Sequence, residues 1–267
     1  MRTISAFADE ISPDLGVQIE TLSRLGLQGL DLRSVGGVNV LQLTDAQVVE
    51  VREAVAAAGL VVQCVGSPVN KVVLSETSRV EELAKLVRAC EVAKLLGTQR
   101  IRVFTPEAPA EAYDEVAAWM RAQIDLATAF DVVLIHENDA KFYGAYPDQA
   151  KRLFEDLGGP HFRAVFDFAN AVLLGTSPLD DWLPWIVPYL DTLHIKDAKD
   201  GRVVPAGQGD GQIGESLRLL FAQGWSGPLT LEPHLQAAGP MGGFSGVQLF
   251  EVATQALRDV LAEVDAA

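Results

Sequence analysis

Four apolar runs in the second half of the chain each end in a residue that can bind a metal. They are Val132-Val133-Leu134-Ile135-His136-Glu137, Ala164-Val165-Phe166-Asp167, Asp191-Thr192-Leu193-His194-Ile195-Lys196 and Pro228-Leu229-Thr230-Leu231-Glu232. Strand side chains alternate between two faces. Glu137, Asp167, His194 and Glu232 therefore share a face with Val133 and Ile135, Val165, Thr192 and Thr230. Leu134, Phe166, Leu193, Ile195, Leu229 and Leu231 take the other face. If the runs are parallel strands of one closed sheet, three carboxylates and one imidazole converge at the same end. These donors are hard to borderline. They favour manganese and also accept magnesium, cobalt or zinc.

The elements that would position these residues recur along the whole chain. Eight short apolar or alternating runs lie near residues 3–8, 29–33, 60–66, 100–104, 132–137, 163–167, 191–196 and 228–232. Amphipathic stretches of helical period separate them. One follows Ser12-Pro13-Asp14, one opens at Thr44 and Asp45 and ends at Gly59, and one opens at Ser78 and ends at Gly97. Others lie near 110–130, 147–157, 178–189, 213–223 and 246–264. Strands alternating with helices imply a parallel sheet with right-handed crossovers. Eight units in 267 residues fit a (β/α)8 TIM barrel, read as one domain over 1–267 because no linker or composition break divides it. An open dinucleotide-binding sheet should carry G-x-G-x-x-G after an early strand. The first run here ends in Phe7-Ala8-Asp9-Glu10, whose acids would repel a phosphate.

Composition removes several function classes. The chain carries 21 Lys and Arg against 36 Asp and Glu, a net charge of −15. A polyanion repels nucleic acid, so no nucleic-acid partner is expected. No apolar run approaches the length of a membrane span, and no signal-peptide pattern precedes Asp9, so no membrane partner is expected. Two cysteines, Cys64 and Cys90, give no disulfide framework and point to a cytoplasmic setting.

Several segments resemble the sugar phosphate isomerase/epimerase family with the xylose isomerase-like TIM barrel. They are His136-Glu137-Asn138, Phe166-Asp167-Phe168-Ala169-Asn170, His194-Ile195-Lys196-Asp197, Leu231-Glu232-Pro233-His234 and the glycine-rich stretch from Val203 to Gly211. The resemblance implies one divalent ion held by Glu137, Asp167, His194 and Glu232. It also implies that Glu137 and Glu232 move the substrate proton from opposite faces of a sugar, keto-sugar or sugar phosphate. A proton α to a carbonyl is too weakly acidic for an unaided carboxylate, whereas a Lewis acid stabilises the enediolate. Return of the proton on the other face gives epimerisation; return at the neighbouring carbon gives isomerisation. The alternative is a lyase or dehydratase acting on a keto-inositol or keto-glycoside by the same proton abstraction. A remote alternative, an apurinic-type endonuclease, would need many more histidines than the four present. A homo-oligomer is compatible with the resemblance.

The sequence departs from the family pattern at Asn170, where many members have His, and at Tyr143, where a helper glutamate is common. Asn170, Lys196, Arg33 and His234 are candidate substrate-binding residues. Arg33 can instead pair with Asp31 on its own face, and Arg102 belongs to the same inner group. Phe7 suits an apolar wall or the core. His136 should point outward, and His161 falls in a loop. The Gly207–Gly211 run reads as a flexible rim loop, and Phe244-Ser245-Gly246 as a weak phosphate-gripping signal.

Overall fold

The computed structural model describes residues 2–239 and 242–266. Eight parallel strands form one sheet: β1 (Ile4–Ala6), β2 (Gly29–Leu32), β3 (Val61–Val65), β4 (Arg100–Val103), β5 (Val133–Glu137), β6 (Phe162–Asp167), β7 (Leu190–Ile195) and β8 (Leu229–Leu231). Their spatial order is β1-β8-β7-β6-β5-β4-β3-β2. Consecutive strands are neighbours, and β1 also lies beside β8, as a TIM barrel requires. The β1–β2 seam is bridged by Gln28. Its backbone N–H donates to the Ile4 carbonyl at 3.0 Å, and its side-chain oxygen accepts from Ile4 N at 2.8 Å.

Helices cover the outside: α1 (Leu15–Arg24), α2 (Asp45–Ala57), α3 (Glu76–Leu96), α4 (Tyr113–Phe130), α5 (Pro147–Leu157), α6 (Phe168–Leu173), α7 (Leu183–Ile186), α8 (Ile213–Ala222) and α9 (Gly246–Ala266). Their starts follow capping chemistry. Asp14 caps α1 by accepting from Val17 N, and Thr44 forms a reciprocal capping box with Gln47. The third helix begins earlier than its expected start at Ser78. Ser75 is the cap, and its hydroxyl accepts the Ser78 N–H at 3.2 Å. Ser78 is thus the third residue of the helix, where the cap's partner belongs. The expected helix over 178–189 is broken into a π-helical turn, the short α7 and a 3-10 turn. Pro178, Pro184 and Pro188 each remove a backbone donor there.

Strand parity sorts the core as expected. Leu134, Phe166, Leu193, Ile195, Leu229 and Leu231 are buried against the helices. Cys64, Ile135 and Val165 form a small separate cluster, with Val133 packed on it. His136 points outward, its ring 5.9 Å from Phe154 and 6.0 Å from Phe162. Burial pushes its pKa down to about 4, so the outward imidazole stays neutral. His161 precedes β6, and its Nδ1 lies 2.7 Å from the Val132 carbonyl. No helix among the described residues is long and apolar enough to cross a membrane.

Candidate metal centre and active site

Glu137 ends β5, Asp167 ends β6, His194 lies one residue before the end of β7, and Glu232 follows β8. One ligand atom from each lies within 4.8 Å of all the others, and all four residues are buried. His194 Nδ1 is 3.4 Å from Glu137 Oε1 and 3.5 Å from Glu232 Oε2. Neighbouring donors around one ion at about 2.1 Å stand roughly 3.0–3.4 Å apart, so these separations fit a single cation. Asp167 Oδ2 and His194 Nδ1 are buried without an aligned hydrogen bond. Buried polar atoms ordinarily have partners. Their convergence on one point suits a shared divalent ion.

Local structure fixes each carboxylate. Asp167 is the residue where β6 turns directly into α6, and its Oδ1 accepts the Asn170 N–H at 2.8 Å as the helix cap. Its other oxygen is thereby aimed into the barrel mouth. Asn138, next to Glu137, clamps the end of β6. Its amide donates to the Asp167 carbonyl at 3.0 Å and accepts the Asp167 N–H at 2.8 Å. Asn170 Nδ2 lies 3.4 Å from Glu137 Oε1, so this candidate does reach the cluster.

Basic groups surround the acids. Lys196 Nζ is 2.8 Å from Asp167 Oδ2 and 3.5 Å from Glu232 Oε2. Arg33 Nη1 is 3.1 Å from Glu232 Oε1, and its Nε donates to Asp9 at 2.8 Å. The alternative for Arg33, a pair with Asp31, does not form. Asp31 sits one inward layer deeper, about 6.6 Å back along the strand, where Thr230 donates to it at 3.3 Å. Arg102 Nη1 lies 3.3 Å from Glu137 Oε2 and 3.6 Å from Glu232 Oε1. Phe7 is both wall and core. It is fully buried, meets His194 edge-on at 5.2 Å, and has the Arg33 and Arg102 guanidiniums 4.9 and 4.8 Å from its ring. Gly66 makes room for it, because a Cβ there would lie 2.6 Å from the ring.

The electrostatics follow from burial against these partners. Burial raises carboxylate pKa values and lowers those of His and Lys; opposite charges reverse both. Glu137 resists burial because His194 and Arg102 face it, and it is held down to about 2. Lys196 and His234 hold Glu232 well below the usual range despite burial. Asp167 goes up to about 6, because burial and the Glu137 and Glu232 charges outweigh Lys196. Burial would lower His194, but Glu137 and Glu232 raise it to about 10. The same balance, with Asp167 as the main partner, raises Lys196.

Two features are missing from the expectations above, and one candidate, His234, is held more tightly than a rim residue. Asp9 and Glu10 join the network around the candidate site, beyond merely repelling phosphate. Asp9 receives Arg33 and Ser34, and fully buried Glu10 receives the His234 N–H at 2.8 Å and the Ser245 hydroxyl at 3.0 Å. Ser245 is thus engaged by an acid, which argues against phosphate there. His234 has φ 47°, a sparsely populated conformation for a non-glycine residue. Its Nε2 lies 3.2 Å from Glu10 Oε1 and 3.5 Å from Glu232 Oε1. The second missing feature is Asp197. Its buried carboxylate accepts the N–H groups of Ala198, Gly207, Gly209 and Gly211 at 2.8–3.0 Å. The expected flexible rim loop is therefore an anion cradle filled from within. A Cβ at Gly209 would lie 2.2 Å from Asp197 Oδ1. The signal was the Asp that opens the antiparallel pair Asp197–Lys199 and Arg202–Val204 feeding the glycine run, but only folding brings them together.

Residues 19–257 match the family described as xylose isomerase-like TIM barrel. A 2-epi-5-epi-valiolone 7-phosphate 2-epimerase from Actinoplanes sp. is 28% identical over 223 residues, covering 79% of this chain and 78% of the relative. A xylose isomerase domain protein from Planctomyces limnophilus superposes with a TM-score of 0.73 at 20% identity, covering 93% of each chain. A xylose isomerase-like TIM barrel protein from Mycobacterium smegmatis, solved in complex with magnesium, gives a TM-score of 0.74 at 17% identity, covering 98% of this chain and 97% of that one.

Proposed function

We infer the activity from one premise: the chain belongs to the xylose isomerase-like TIM barrel family. The reading is a divalent-metal-dependent isomerase or epimerase of a small carbohydrate, with Glu137 and Glu232 as its acid/base pair. The observation that carries it is the convergence of Glu137, Asp167, His194 and Glu232, with ligand atoms within 4.8 Å at one end of the barrel. The epimerase activity of the Actinoplanes relative supports the reaction class. Glu137, Asp167, His194 and Glu232 would hold the ion, and manganese suits this oxygen-rich set with one imidazole. When bound, the ion supplies Lewis acidity toward a carbonyl and its neighbouring hydroxyl.

The chain's own residues then divide the work. Glu137 and Glu232 come from β5 and from the end of β8, with β6 and β7 between them. That separation supports action on opposite faces of a substrate lying over His194 and Asp167. Both glutamates are held ionised by their cationic neighbours, so either can begin as base. The base takes the proton α to the carbonyl; the glutamate across the mouth, having first taken a proton from solvent, delivers that proton to the other face, and the first glutamate returns its own to solvent. Asn170, Lys196, Arg33 and His234 border this space and offer donors to substrate oxygens. The substrate is a sugar, keto-sugar or sugar phosphate, and the charge balance disfavours nucleic acid.

A lyase is the second reading. Lys196 carries a proton beside the cluster, which suits protonation of a departing hydroxyl. One experiment separates the two. Metal-loaded protein is incubated with keto-sugars, keto-inositols and keto-glycosides in D2O and followed by NMR. Deuterium at the α-carbon with an isomeric product supports the isomerase; loss of water or aglycone supports the lyase. No α-exchange across the panel refutes proton abstraction on these substrate classes.

A further inference from the structure

Each of the three candidate ligand carboxylates has a cationic neighbour, but the three cations approach differently. Glu137 turns Oε1 toward His194 and Glu232 turns Oε2 toward it. Arg102 takes the other oxygen of Glu137, at 3.3 Å, and Arg33 the other oxygen of Glu232, at 3.1 Å. Both guanidiniums thus hold their glutamates from behind. Lys196 does not. Its ammonium lies 3.5 Å from Glu232 Oε2, the oxygen that faces His194. It lies 2.8 Å from Asp167 Oδ2, the oxygen left over after Oδ1 caps α6. Lys196 is therefore on the inner side of the cluster, against the donors that would face a metal.

The character of the contact also matters. Asp167 Oδ2 has the ammonium at 2.8 Å yet makes no aligned hydrogen bond. The attraction is mainly one charge for another. A Lys ammonium is a compact point charge on a flexible stem, unlike the rigid fork of Arg. It can neutralise packed carboxylates and then withdraw.

We propose that Lys196 is a positioning residue that neutralises the metal-facing oxygens of Asp167 and Glu232 in the metal-free protein and is displaced from them by the incoming divalent ion. The proposal rests on reading Glu137, Asp167, His194 and Glu232 as the ligands. The ammonium and the ion compete for two oxygens. Removing the ammonium leaves buried carboxylates unneutralised, which weakens the metal-free fold. It also removes the competitor, which tightens metal binding. A lysine that only contacts substrate would change KM or kcat and leave metal affinity alone.

The test is calorimetric titration of chelator-treated protein with Mn²⁺, without substrate, for wild type, Lys196→Met and Lys196→Arg. The dissociation constant should fall roughly tenfold or more in Lys196→Met, because the positive charge that competes for the two oxygens has been removed. Lys196→Arg, which keeps the charge, should bind no more tightly than wild type. An unchanged or weaker affinity in Lys196→Met overturns the proposal while leaving the ligand assignment standing. Absence of Mn²⁺ uptake by wild type removes the ligand assignment and the proposal together. If Lys196→Met does not fold without metal, crystals of wild type grown with chelator and with Mn²⁺ decide the matter. The ammonium must leave both oxygens in the second; finding it still beside both of them overturns the proposal.

Discussion

At the scale of the residue, Glu137 and Glu232 are assigned two tasks, binding the ion and moving protons. Alanine at either position would mix metal loss with lost chemistry. Glutamine keeps an oxygen donor and removes the basic carboxylate. Glu137→Gln and Glu232→Gln with metal retained should each lose turnover by about 10²–10⁴-fold, the usual contribution of a general acid or base. One of them should still exchange the α-proton of a single epimer, because one face keeps its base. Near-normal turnover in both metal-loaded variants removes them from proton transfer. The cysteines give a second residue-scale expectation. Both are buried, and burial raises the Cys64 thiol well above its usual range and Cys90 to about 11. A thiol titrating that high is almost wholly protonated at pH 8, and only the thiolate reacts. A thiol-specific chromogenic reagent should therefore find no reactive cysteine in the native protein at pH 8, and two after denaturation. Prompt reaction of either in the native state contradicts the packing.

At the scale of the element, the segment after β7 is the informative one. It looks like a loop built from glycine, yet Asp197 draws four backbone N–H groups onto one buried carboxylate. Charge-assisted hydrogen bonds of this kind are stronger than neutral ones. Asp197→Ala leaves those donors without their acceptor, and each buried unsatisfied donor costs about 1–3 kcal/mol. Some of the donors regain water, so a net loss of about 3–5 kcal/mol is expected in chemical denaturation. Hydrogen exchange should quicken at Gly207, Gly209 and Gly211 in particular. Unchanged protection at those amides would show that something else orders the segment. The start of α3 makes a smaller point of the same kind. Ser75 and Ser78 both fit the type of residue that caps a helix, and the choice between them was settled by which hydroxyl had a free N–H three residues ahead.

At the scale of the molecule, four strands must close around one point before the four candidate ligands come together. Strands β5 to β8 are consecutive neighbours, so their ends arrive together only when the sheet is formed. An ion that binds the native state and not the unfolded chain stabilises it through linkage. At 100 times its dissociation constant it contributes about 2.7 kcal/mol, which for a chain of this size raises Tm by about 5–10 °C. Chelator-treated protein should show that rise on addition of Mn²⁺ and lose it again with excess chelator. An identical Tm in both conditions argues against a metal held by folded-state residues.

The sequence alone determined the alternation of strands and helices, the number of units and the parity of the four candidate ligands. All of these are local. A period of two or of 3.6 residues, and the identity of the residue at a strand end, can be read without knowing what lies opposite. The family resemblance at His136-Glu137-Asn138 and His194-Ile195-Lys196-Asp197 rested on short contiguous motifs for the same reason. Only the tertiary structure decided the pairing of long side chains. Arg33 has Asp31 as its near neighbour on the same face, the alternative partner in the sequence, yet it reaches Asp9 and Glu232, the latter 199 positions away. Glu10 meets His234 and Ser245 from the far end of the chain. Asp197 fills a cradle that its own downstream glycines form. Strand register and barrel closure set which ends share the mouth, and flexible side chains then choose the nearest opposite charge in a buried space. Neither step leaves a periodic trace in the sequence.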